Sequence, residues 1–191
     1  MNPTALLLID VQQSFVARPY WSASALPAFL SNVNALVAGC ARGGIPVVRV
    51  FHTDGSPTPD NPFARESGLV RPLDGLLPHD AAITIEKHRH SALVGTTLLS
   101  WLRERGVRRV IVAGIRTEQC CETTARHASD EGFDVDFATD ATLTFDMTTP
   151  AGQRLGADQI RERTETVLAG RFVTLVDVRQ ALARAQAAAS A

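Results

Sequence analysis

The chain has 191 residues, 45% of them hydrophobic and 20% charged, with a formal net charge of −1. That balance suits one soluble domain able to bury a full core, and it gives no reason to expect nucleic acid or an anionic membrane as partner. No apolar run approaches the ~20 residues of a membrane span, and three cysteines, two of them adjacent, make no disulfide framework and point to a reducing cytoplasm.

The start, MNPTALLLIDVQ, lacks the basic residues and cleavage site of a signal peptide and reads as part of the fold. Within it, ALLLI (5–9) is a continuous apolar run ending at Asp10, the pattern of a strand buried on both faces. Residues 25–42 carry Leu26, Phe29, Leu30, Val33, Leu36 and Val37 at helical spacing, and Gly43-Gly44 stops that helix. IPVVRVFH (45–52) is a second strand. Residues 53–80, rich in proline and glycine and without a sustained period, form a long loop of the kind that tends to be functional or mobile. AITIEK (82–87) is a third strand, LVGTTLLSWLRERG (93–106) a helix and RRVIVAG (108–114) a fourth strand. Helix over 120–131, strand over 133–140, helix over 157–169 and strand over 171–177 follow. The alanine-rich end reads as a helix fraying into a disordered tail at 186–191, after a single domain over 1–185.

Strands alternating with helices predict an α/β fold, a doubly wound, mainly parallel six-stranded sheet with helices on both faces. Such sheets bind ligands beyond the carboxyl ends of their strands, near the point where strand order reverses. Asp10, His52, Lys87 and the 115–120 segment all follow strands there. Singly, an Asp at a strand end is usually a turn residue and a Lys a solvated one. An acid, a base and a thiol on one edge are harder to dismiss.

Helical spacing separates the adjacent cysteines. Cys121, Ala125, Ala128 and Gly132 line one face of small residues suited to packing on a sheet. Cys120 lies off that face in the first turn, where free backbone N–H groups, the helix dipole and a nearby ammonium favour a thiolate. Cys120 is therefore the reactive candidate and Cys121 the structural one.

Three segments resemble the isochorismatase-like cysteine hydrolases: LLLIDVQQSF (6–15), EKHRHSALVGTTLLSWLRERG (86–106) and VIVAGIRTEQCCETTARHASDEGFDVDFATDAT (110–142). The resemblance implies a hydrolase of small C–N bonds (amide, ureido or imide) working through an acyl-enzyme. It makes Asp10 the general base, Lys87 the electrostatic stabiliser and Cys120 the nucleophile. It also implies a cis peptide at Ile115–Arg116, an oxyanion site made by the backbone N–H groups of Arg116 and Cys120, and a homo-oligomer. Gln12, Phe15 and His52 are candidate pocket walls for a small-molecule substrate. Tyr20 and Trp21 are either site-closing or core aromatics.

Some members bind a metal through one Asp and two His after the second strand. Here the segment reads HTDGSPTPDNPFARESG, with His52 and no second histidine before His79, so neither metal nor other cofactor is expected. Members that cleave vinyl ethers can carry glycine at the nucleophile position, and Cys120 tilts this chain toward acyl chemistry. Arg116 stands where the family has a small or apolar residue. It either binds a substrate carboxylate or pairs with Glu118 or Glu122. Outside the enzyme class, a thiol redox sensor and a non-catalytic binder are the competing readings.

Overall fold

A computed structural model describes residues 3–189. Six strands form one sheet: β1 (Thr4–Ile9), β2 (Val47–His52), β3 (Ile83–Lys87), β4 (Arg109–Ile115), β5 (Asp134–Leu143) and β8 (Thr174–Val176). Their order is β3-β2-β1-β4-β5-β8, and every pairing is parallel. The chain winds outward from β1 to β3, returns to the centre at β4 and winds outward again. Strand order therefore reverses between β1 and β4, where the fold leaves a crevice.

The pleat splits each apolar run between two cores. Ala5, Leu7 and Ile9 of β1 join Val110 and Val112 of β4 beneath α2 (Leu98–Glu104), α3 (Glu122–Asp130) and α4 (Ala157–Leu168). Leu6 and Leu8 join Ile111, Ala113 and Ile115 beneath α1 (Leu26–Arg42) and α5 (Val178–Ala189). Both faces are covered, which is why the central strands carry no polar alternation. Among the described residues no helix is long and apolar enough to cross a membrane.

Several boundaries differ from the sequence expectation. The helix expected from 93 begins only at Leu98, because Gly95 takes φ +67° and the Thr96 hydroxyl donates to the Ala92 carbonyl at 2.6 Å. The helix expected from 120 is preceded by a π-helical turn, Thr117–Cys121, in which the N–H groups of Gln119 and Cys121 share the Arg116 carbonyl. β5 runs on to Leu143 through a register shift opposite Val112 and Gly114. A short antiparallel pair, β6 (Met147–Thr148) with β7 (Arg154–Leu155), carried no sequence signal. Residues 186–189, expected to be disordered, belong to α5, as an alanine-rich stretch with high helix propensity allows. Positions 190–191 of the expected tail lie outside the described residues.

The long loop holds one turn of 3-10 helix, Arg65–Ser67. It then returns to the segment after β1, where Gln13 N–H donates to the Arg71 carbonyl and Leu73 N–H to that of Val11. The carboxyl edge of the sheet is thereby walled by residues 53–73.

Candidate active site

β1 ends in a sharp turn. Asp10 takes φ +49°, a left-handed conformation that Asp tolerates better than most residues. Its N–H donates to the Val50 carbonyl at 2.9 Å and its carbonyl accepts from Gln12 N–H at 2.8 Å. Beside it, β4 approaches so closely that a Cβ on Gly114 would lie 1.9 Å from the Ile9 carbonyl oxygen, so glycine is required there. The next bond but one, Ile115–Arg116, is a cis peptide, and the π turn carrying Cys120 follows it.

Lys87 ends β3, with β2 lying between it and β1. A long side chain spans that gap. Its ammonium lies 2.8 Å from the Asp10 carboxylate, 3.3 Å from the Cys120 sulfur and 3.3 Å from His52 Nδ1. An ammonium has three donors, and three groups face it here. Both Lys87 and Asp10 are wholly buried. The strand-end acid, base and thiol thus converge.

Burial sets the protonation states. It pushes the Asp10 carboxyl above its usual range, with Lys87 only partly offsetting the loss of water. Burial would lower Lys87, but the Asp10 and Cys120 charges overcome it and hold the ammonium above the ordinary lysine value. The Cys120 thiol is pushed up by burial and then by the Asp10 carboxylate, against the pull of Lys87. This differs from the expectation of a thiol tuned downward by its helix terminus: the sulfur is too dry, and it faces an anion as well as a cation. His52 is pushed down to about 4 by burial and by Lys87, so its ring is neutral and Nδ1 is free to accept.

A cavity of about 220 Å³ opens onto the Cys120 sulfur, walled by Phe15, Tyr20, His52, Phe63 and Arg116 among others. Phe15 meets Phe63 edge-on with centroids 5.1 Å apart. Gln12 does not line it. Its amide is spent on the His52 backbone, accepting the N–H at 2.7 Å and donating to the carbonyl at 3.0 Å, which fixes the end of β2 against β1. Cys121, fully buried, packs with Ala125 and Ala128 in the core. Trp21 stacks on Phe145 away from the cavity, whereas Tyr20 does both. Arg116 pairs with Glu118 at 2.8 Å, and Glu118 also accepts from Thr144 Oγ1 at 2.6 Å.

His90 is a lining residue the sequence reading missed; its ring centroid lies 6.3 Å from that of His52. It follows β3 in an irregular turn, where no periodicity marks a side chain as inward. His52 Nδ1 faces the Lys87 ammonium, and among the described residues no three His, Cys, Asp or Glu side chains are grouped to hold an ion. Activity is therefore expected to survive dialysis against a strong chelator. Recovery of lost activity on adding zinc or iron would overturn that expectation.

These positions also set a pH profile. If Asp10 must be ionised to accept the thiol proton, activity falls as pH drops through the raised Asp10 pKa. The acid limb of kcat/KM is then expected above the ordinary carboxylate range. Lys87, held up, adds no basic limb below the ordinary lysine range. His52→Gln keeps the acid limb in place; a limb that moves with this substitution would reassign it.

The isochorismatase domain model matches residues 4–171. Nicotinamidase 3 of Arabidopsis thaliana is 34% identical over 91% of this chain and 84% of its own. An isochorismatase of Bacillus subtilis is 30% identical over 76% of this chain and 50% of its own. A crystal structure of an isochorismatase-family protein from Chromobacterium violaceum superposes with a TM-score of 0.86 at 28% identity, covering 97% of this chain and 94% of that one.

Proposed function

The chain belongs to the isochorismatase family, and from that premise we propose that it hydrolyses a small-molecule C–N bond (amide, ureido or imide) through a covalent intermediate on Cys120. The convergence of the Asp10 carboxylate, the Lys87 ammonium and the Cys120 sulfur in one buried cluster, of which Cys120 lines the cavity, carries the reading. Nicotinamidase 3, a relative that cleaves an amide as its name states, supports it. The isochorismatase of B. subtilis leaves vinyl-ether cleavage as the alternative, and a thiol placed at the cavity floor favours acyl transfer over it.

In the proposed mechanism Asp10 accepts the Cys120 thiol proton as sulfur bonds to the carbonyl carbon. The oxyanion is received by the backbone N–H groups of Arg116 and Cys120 at either end of the π turn. Asp10 returns the proton to the nitrogen, the C–N bond breaks and the amine departs. Water then gives a proton to Asp10 and adds to the thioester carbon. The second oxyanion collapses, the C–S bond breaks and the thiol regains its proton. Lys87 stays charged throughout and offsets the negative charge passing between Asp10, sulfur and carbonyl oxygen. Phe15 and Phe63 supply apolar walls, and neutral His52 orients the Lys87 ammonium.

A screen of small amides, ureido acids and imides, read by ammonia release and by the mass of an acyl adduct on Cys120, tests the proposal. Turnover with no adduct under quenched conditions, and with Cys120 replaced, would overturn it.

A further inference from the structure

The cavity above Cys120 is polarised. Three cationic side chains reach the site, and two are matched: Lys87 by Asp10 and Arg116 by Glu118, each at 2.8 Å. Arg18 is not matched. It lines the same cavity from the exposed end of the turn after β1, and among the described residues no carboxylate lies within ion-pair distance of it. Its guanidinium sits 5.7 Å from the Tyr20 ring centroid, and that same ring takes Arg116 at 4.6 Å. Arg116, only 6% exposed, has an Nε with no hydrogen-bond partner. One wall therefore offers an unmatched positive charge beside an unused buried donor. Asp54, in the loop after β2, also lines the cavity and accepts the Gly55 N–H on one carboxylate oxygen at 2.8 Å.

We propose that the substrate carries an anionic group, a carboxylate, which docks on this wall, and that Arg18 is the residue that selects it. Arg116, for which the sequence left carboxylate binding and pairing with Glu118 or Glu122 open, is charge-matched by Glu118. It contributes a donor and a shelf for Tyr20 rather than the net charge. A buried unpaired donor costs stability until a ligand satisfies it, and Arg116 lines the same cavity as Arg18. The proposal rests on the hydrolase reading for the bond that reacts, but not for the charge of the group beside it.

Iodoacetate and iodoacetamide test this without knowledge of the substrate. They are nearly isosteric and differ by one negative charge. With either, the Cys120 sulfur forms a C–S bond as iodide leaves, and the thiol proton passes to Asp10. The rate constants for alkylating Cys120, followed by the mass of its peptide, give a ratio of anionic to neutral reagent. That ratio is compared with the ratio for a free cysteine peptide. In the native protein it is expected to exceed the peptide value by about two- to fivefold, the size of an ion pair at a solvated mouth. It falls toward the peptide value in Arg18→Gln, recovers in part in Arg18→Lys, and shrinks as salt is raised. A ratio equal to the peptide's, or one untouched by Arg18→Gln, overturns the proposal. Failure of Cys120 to react with either reagent while Cys121 does so sinks the hydrolase reading, and this proposal with it.

Discussion

Cys120→Ala is expected to lower kcat by about 10⁴- to 10⁶-fold, the loss that follows removal of a covalent nucleophile, while Cys121→Ala keeps kcat within a few-fold. The two side chains are neighbours in sequence but not in environment. Cys120 opens onto the cavity and lies 3.3 Å from the Lys87 ammonium. Cys121 packs against Ala125 and Ala128, fully buried, with its thiol pushed well up by burial and by the charge of Cys120. Removing one sulfur from that core leaves a small void, worth about 1 kcal/mol in unfolding free energy. The expected pattern is a folded, inactive protein in one case and an active, slightly less stable one in the other. Circular dichroism, thermal melts and turnover measured together check it, and equal loss of activity in both folded variants would sink the assignment.

What the sequence revealed and what it hid have physical causes. The strands were legible because both faces of the sheet are covered, so ALLLI and RRVIVAG stand out as unbroken apolar runs. The ends of ALLLI and of AITIEK located Asp10 and Lys87, since a parallel sheet presents its site at one edge. The small-residue face of α3 was legible from helical spacing, and it separated the two cysteines. The π turn was not, because one shared carbonyl at Arg116 leaves no trace in residue type. The direction of the Cys120 shift was also hidden. Backbone position argued for a thiolate, but the burial that dominates is a tertiary property. Gln12, expected as a pocket wall, turns its amide toward the His52 backbone instead, a choice that only the packing of β2 on β1 decides. The Arg116–Glu118 pair was one of the alternatives that sequence left open; the three-dimensional path of the turn brings the two side chains to 2.8 Å.

The Asp10–Lys87 pair should reveal itself in stability as strongly as in rate. Each side chain is wholly buried, so replacing one strands the charge of the other away from water. Breaking a buried pair in this way costs about 3–5 kcal/mol, whereas removing both charges together costs far less. Asp10→Asn suits the left-handed backbone at that position, because Asn tolerates it as Asp does. Lys87→Met keeps most of the length that spans β2. Each single variant is expected to lose about 3–5 kcal/mol in urea unfolding, and the double variant clearly less than the sum of the two. All three should be inactive, since one lacks the base, one the stabilising charge and one both. Linkage adds a sign to the Lys87→Met case. Without the ammonium, the Asp10 carboxyl stays raised by burial, so the folded chain holds its proton at pH values where the unfolded chain has lost it. Stability relative to the parent protein then falls as pH rises above the parent's own raised Asp10 value, where the parent has given up the proton and the variant still holds it. Additive losses in the double variant, or a Lys87→Met protein whose relative stability rises with pH across that window, would mean that the two groups do not form the charge pair on which the proposed chemistry depends.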